Sequence, residues 1–325
     1  MNCLSLLKNH SVRRNTPATL LLAAAVLLPL SSFAANVTWN GGNGDFSDST
    51  WTPNAPGAND DAYITNNSMV TVTGDIAAKN LRIDHGAIIN QTGGDVVLSE
   101  RLWVGNGSGS NATYNLSGGT IRGNDGMRIG LWDASGAMTV SNGATVTHAK
   151  YLYVGSGGTG SGTLTIDGTH AGSELSSWTH TGSVDNKSVQ IGAYEASTGT
   201  LTVTGANALF STSGGLVIGQ HANATGTVNL SNGGTIQATQ IWREYGTATF
   251  KVDGGIIKAG AAQTDFFQNL TVTLQSGGAT INTNGYSISE ASGTNTALLT
   301  GSGGLTKTGT GTLTLNKAHD YTGAT

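Results

Sequence analysis

The sequence predicts an all-β chain folded as a right-handed single-stranded parallel β-helix, a β-solenoid of about a dozen coils. Three observations carry that expectation. A short glycine-anchored strand recurs at near-constant spacing, glycine makes up 49 of 325 residues, roughly twice the usual share, and no window holds a sustained 3.6-residue apolar period.

The recurring strand comes first. Leu102-Trp103-Val104-Gly105, Met127-Arg128-Ile129-Gly130, Leu152-Tyr153-Val154-Gly155, Val189-Gln190-Ile191-Gly192 and Leu216-Val217-Ile218-Gly219 align on their glycines, which stand 25, 25, 37 and 27 residues apart. Two aliphatic residues flank a variable one, the period-2 pattern of a half-buried strand. A second strand follows in each repeat, as in Gly162-Thr163-Leu164-Thr165-Ile166 and Gly199-Thr200-Leu201-Thr202-Val203. A third apolar pair closes the unit, for example Thr120-Ile121, Thr145-Val146 and Thr235-Ile236. Short strands separated by Gly/Asn corners describe one solenoid coil. One coil cannot bury its aliphatic stripe alone, whereas coils stacked about 4.8 Å apart make a continuous dry core. About a dozen such coils make a rod on the order of 50–60 Å long.

The ends differ from the middle. Residues 1–34 have the form of a signal peptide, with Lys8, Arg13 and Arg14 before the apolar run Leu20 to Leu30 and Ser32-Phe33-Ala34 at the cleavage site. Residues 35–80, with Trp39, Trp51, Pro53 and Pro56, are expected to form an N-terminal cap. Residues 81–263 hold the central repeats, and 264–325 the C-terminal coils. Removing the leader also removes the lone cysteine, Cys3, and leaves 12 cations against 19 acidic residues, a net charge of −7. Such a chain has no thiolate for a metal or disulfide and no electrostatic basis for binding nucleic acid.

Catalytic signatures are absent from the sequence. It holds no G-x-S-x-G elbow and no H-E-x-x-H. Gly155-Ser156-Gly157-Gly158-Thr159-Gly160 matches G-x-G-x-x-G in form, but it joins two strands and opens no helix, so it is a corner. Neither an enzymatic activity nor a cofactor is expected.

Two features point to binding. The outward strand position carries Trp103, Arg128, Tyr153, Gln190 and Val217 on successive coils, with Trp132 and Tyr194 two residues beyond their glycines. In a stack these would form an aromatic row suited to sugar rings or a protein partner; the alternative is a ladder that only braces neighbouring coils. The long repeat adds residues around Thr169 to Lys187, among them His170, Glu174, Trp178, His180, Asp185 and Lys187. These are expected to form a loop on one face, either a binding loop or plain polar surface.

The last 25 residues, from Gly301, carry a distinct pattern: Gly304-Leu305-Thr306-Lys307-Thr308-Gly309-Thr310-Gly311-Thr312-Leu313-Thr314-Leu315, then Tyr321-Thr322-Gly323-Ala324-Thr325. This resembles the autotransporter-associated β-strand repeat, G-L-x-K-x-G-x-G-x-L-x-L followed by Y-x-G-x-T. The opening Trp39-Asn40-Gly41-Gly42-Asn43-Gly44-Asp45-Phe46 is similar to the start of passenger domains that carry such repeats. The resemblance implies type V secretion through an outer-membrane barrel, with the passenger at the cell surface acting as an adhesin or self-association factor. Its implied partners are glycans, a host or neighbouring-cell surface, or a second copy. No barrel is legible in the sequence, so the barrel is expected in a missing C-terminal part. Two other readings stay open: a stalk or secretion-assisting segment of a longer protein, and a glycan-active β-helix enzyme.

Overall fold

A computed structural model describes residues 34–182 and 187–325. The leader expected over 1–34 lies, but for Ala34, outside the described residues, as does Asp185.

The described chain is a parallel β-helix. Three sheets of 13, 12 and 10 strands run along it, and, Trp51–Thr52 apart, each strand lies beside the strands three before and three after it in the chain. Ten coils contribute to all three sheets, with a partial coil at either end, in agreement with the expected dozen.

Register follows the glycine alignment. In the first sheet, Leu102 pairs with Met127, Met127 with Leu152, Leu152 with Val189 and Val189 with Leu216. In the second, Leu164 pairs with Leu201 and Leu201 with Val228. In the third, Ile121, Val146, Trp178, Phe210 and Ile236 form one column. All of these side chains are buried, so residues one coil apart in sequence become stacked neighbours in a single core. The repeated glycine has a local cause. Gly130 sits at φ +72°, and a Cβ there would lie 1.9 Å from the Ser161 carbonyl oxygen of the next coil. Only glycine fits both the left-handed backbone and that approach.

The region expected to cap the N-terminus already belongs to the stack. Asn36–Trp39 pairs in parallel with Asp61–Ile64 and antiparallel with Trp51–Thr52. That second pairing covers an edge that would otherwise be open. Trp39 and Phe46 pack on Trp51 at centroid distances of 5.2 and 4.7 Å, plugging the core at this end.

The repeat-like C-terminal unit forms one more coil. Leu305–Thr308 adds to the third sheet, Leu313–Thr314 to the first and Asp320–Tyr321 to the second. Leu305 is buried, while Leu313, Leu315 and Tyr321 pack on the core from its margin. The Gly309 and Gly311 corners lie against the coil of Asn282 to Tyr286, and Gly323 against Gly303 and Gly304. The Lys307 ammonium donates to the Gly309 carbonyl at 3.0 Å. The unit is anchored by buried Glu290, whose carboxylate lies 2.7 Å from His319 Nε2 and accepts the Asn316 N–H at 3.0 Å. The Leu299 N–H donates to His319 Nδ1 at 3.1 Å.

The long repeat departs from expectation. Its extra residues do not form a single loop, because the strand Ser176–His180 runs through them. Trp178 is fully buried in the third-sheet column and His180 is 1% exposed. Neither belongs to a surface loop. His180 lies beside buried His148, ring centroids 5.0 Å apart, and Trp178 lies 5.6 Å from His148. His180 bonds Thr212 Oγ1 at 3.0 Å and the Lys150 carbonyl at 2.7 Å, whereas neither nitrogen of His148 has a hydrogen-bond partner. Burial, with His180 as the lesser cause, pushes the His148 imidazole down to about 3 from 6.5.

Two outcomes follow. Trp178→Ala should cost about 3–5 kcal/mol by opening a cavity in the column; a denaturation midpoint close to that of the parent would contradict the buried placement. His148 is neutral when folded but protonates in the unfolded chain below pH 6.5, so its contribution is whole above that pH and lost as pH falls toward about 3. The loss proceeds at about 1.4 kcal/mol per pH unit. His148→Phe should therefore flatten the fall of melting temperature between pH 6.5 and 4, and parallel curves would argue against it.

Candidate ligand-binding groove

The outer face of the first sheet holds the aromatic row. Trp103 pairs with Arg128, Arg128 with Tyr153, Tyr153 with Gln190 and Gln190 with Val217, as expected. Exposure is another matter. Trp103, Arg128 and Tyr153 are partly exposed, but Gln190 and Val217 are buried, together with Trp242 on the following coil. Gln190 donates to the Lys187 carbonyl at 2.8 Å, Lys187 Nζ reaches Glu244 at 2.6 Å, and the Trp242 indole donates to Glu244 at 3.0 Å. The free part of the row is thus its N-terminal part.

Four successive corners continue that part of the sheet: Leu131-Trp132-Asp133, Ser156-Gly157-Gly158, Ala193-Tyr194-Glu195 and Gln220-His221. Residues of these corners, Trp132, Gly157, Tyr194, Glu195 and His221 among them, line an open groove of about 540 Å³ together with Arg128 and Tyr153. Trp132 and Tyr194 are 54% and 40% exposed. They stand two coils apart, about 9.6 Å along the stack, with Gly157 between them.

Gly157 makes the arrangement possible. Its φ is +75°, and a Cβ would touch the Trp132 ring at 3.0 Å, so the indole lies against bare backbone. Trp132, Asp133 and Glu195 hold left-handed backbone themselves, with φ of 54°, 62° and 55°. For a bulky residue such as Trp132 this is a costly conformation that persists only when its surroundings impose it. Those surroundings are visible. Asp133 accepts the Thr159 N–H at 2.6 Å and its hydroxyl at 3.0 Å, while Glu195 accepts the Gly158 N–H. Carboxylates from the coils on either side thus clamp the Gly158-Thr159 turn. The Thr159 amide, then its hydroxyl, holds the Asp133 carboxyl below the usual range.

The rear wall is a ring cluster. Tyr151 and Tyr153 stack at 4.9 Å, Tyr194 meets Tyr153 edge-on at 5.5 Å, and the Tyr194 hydroxyl lies 3.4 Å from that of Tyr153. Burial, then this contact, pushes the Tyr153 phenol up, so it stays neutral and able to donate. The Arg128 guanidinium lies 5.0 Å from the Tyr151 centroid and 5.7 Å from that of Tyr153. Aromatic faces with hydroxyl, amide and guanidinium groups at their edges suit a ligand that is flat, partly apolar and rich in hydroxyls.

Of the residues expected to bind, Trp132, Tyr153 and Tyr194 converge here. Trp103 lies one coil outside, with the Arg101 guanidinium 5.9 Å from its ring. His170 sits apart on the loop before Ser176, bonded to the Glu174 carbonyl at 2.9 Å, and Trp178 and His180 are in the core. Glu195 and His221 were not expected. The second sheet presents another outward surface, with rows Thr163–Thr200–Thr227 and Thr165–Thr202–Asn229 in register.

Gly157→Ala should cost about 1–2 kcal/mol through its left-handed backbone and displace the Trp132 indole. A shift in tryptophan emission that is absent from Gly157→Ala/Trp132→Phe would report that displacement, and an unchanged spectrum would contradict the packing. No family model, no curated protein and no solved structure matches the chain.

Proposed function

We propose that the chain is an extracellular β-helix passenger segment that acts as an adhesin, holding carbohydrate chains by weak contacts repeated along its surface. The observation that carries this reading is the convergence of exposed Trp132 and Tyr194 with Tyr153 and Arg128 in one open groove. Sugar rings present apolar faces that stack on aromatic rings and hydroxyls that bond at their edges. The two-coil spacing of Trp132 and Tyr194 is close to a disaccharide repeat in an extended β-linked chain, so alternate sugars meet a ring while the sugar between spans Gly157. The threonine rows of the second sheet add shallow polar contacts, and many weak sites together hold a polymer.

Binding is favoured over hydrolysis by the state of the carboxylates in and beside the groove. Asp133 and Glu195 are both engaged by the Gly158-Thr159 turn, which suits a scaffold better than a general acid or base. Export by a type V route, with the barrel in a part beyond this sequence, rests on the likeness of residues 304–325 to the autotransporter-associated repeat. Their folding as one further coil is consistent with it.

Affinity electrophoresis against a panel of soluble plant, bacterial and host polysaccharides tests the proposal. At least one polymer should retard the full chain, and Trp132→Ala or Tyr194→Ala should each weaken retardation by about tenfold, the scale of one aromatic contact. Failure of every polymer to retard the parent chain would discard the carbohydrate reading.

A further inference from the structure

Arg128 is placed unlike the other arginines of the described chain. Arg82 pairs with Asp84, Arg101 with Asp125 and Arg122 with Asp95, while Arg243 donates to the backbone and side-chain oxygens of Asn269. Arg128 has no carboxylate or carbonyl acceptor. It makes one hydrogen bond, from Nη2 to the Tyr151 hydroxyl at 3.3 Å; its Nε–H, like that of Arg101, is buried without a partner. The tyrosine faces orient the guanidinium but take up few of its five donors. A planar fork held against aromatic rings, on the wall of a groove and without its own counter-ion, is an unfilled half of a bidentate pair.

We infer that the groove selects acidic glycans, with a uronic-acid carboxylate seated on Arg128 while sugar rings stack on Trp132 and Tyr194. The inference rests on the carbohydrate reading above and narrows it. A uronate carries its carboxylate at the ring edge, so a ring lying flat on an aromatic face directs that group sideways to the guanidinium. The groove is polarised to match. Glu195, the carboxylate on its lining, is drawn to the Gly158-Thr159 turn, as is Asp133 outside that lining, which leaves the Arg128 side for the anion. Tyr153 between them stays neutral and adds no repulsion. The overall negative charge of the chain acts over a distance that physiological salt screens to about 8 Å, so the local guanidinium governs the contact.

The test uses the full chain with polygalacturonate, alginate and hyaluronate, each alongside its methyl ester, which keeps the backbone and removes the charge. At least one acidic polymer should bind tenfold or more tightly than its ester. Arg128→Gln should weaken the acid by a similar factor and leave the ester unchanged, Arg128→Lys should fall between, and Trp132→Ala should weaken both forms. Circular dichroism and melting temperature establish that each variant is folded. Equal binding of acid and ester, or an Arg128→Gln chain that binds the acid as the parent does, overturns the charge selection and leaves the carbohydrate reading standing. If none of the three acids binds, the inference is also overturned, and retardation by neutral polysaccharides then decides the broader reading separately.

Discussion

Parallel backbone pairing between successive coils determines where everything else in this molecule sits. Each strand donates to and accepts from its neighbours above and below, and the pairing is in register, so Leu102, Met127 and Leu152 occupy equivalent points on consecutive coils. Slipping one coil by a single residue would turn its aliphatic side chains outward. Burial and hydrogen bonding therefore enforce the same alignment. Glycines such as Gly130 let each corner pass under the next without breaking it. The core needs no disulfide, because every side chain in the column is covered by the coil on either side.

That alignment has a chemical consequence on the outside. Residues at one coil position form a straight file, so a groove can be assembled from Arg128, Trp132, Tyr153 and Tyr194, which are scattered over four strands and corners of the sequence. The local supports are inter-coil as well. The left-handed Trp132 is sustained by Gly157 beneath its ring and by the Asp133 and Glu195 bonds to the adjacent turn. Site and scaffold share one set of contacts, and the rigidity of the stack preorganises the recognition face.

Much of this was legible in the residues. Glycine spacing and period-2 alternation specify the strands, their register and the aromatic file, because in a solenoid distance in sequence maps directly onto distance in space. The misreadings have equally physical causes. Trp178 and His180 read as loop residues because the residues inserted on both sides of Ser176–His180 break the sequence spacing of the repeat. A signal was present nonetheless: Thr179-His180 repeats Thr147-His148, and Trp178 stands where the neighbouring coils carry Val146 and Phe210. Gln190 and Val217 hold outward positions, yet a segment distant from Val217 and Trp242 in the chain, tied through Lys187 to Glu244, lies close by; no local pattern announces that. Glu195 and His221 give no signal in the sequence because corner residues follow no hydrophobic rhythm, and their relevance emerges only when corners are superposed.

The position two past the repeated glycine is filled by Gly107, Trp132, Gly157, Tyr194 and His221 on five consecutive coils. The three that bear side chains, Trp132, Tyr194 and His221, lie outside the central cluster of buried apolar residues, and the two glycines leave bare backbone between and before them. Such a file works like a row of type set in a rigid frame. A replacement at Trp132, Tyr194 or His221 changes what the surface spells without entering the buried apolar columns, whereas Gly157 accepts none without displacing the indole, so specificity diversifies only at the slots that already bear a side chain.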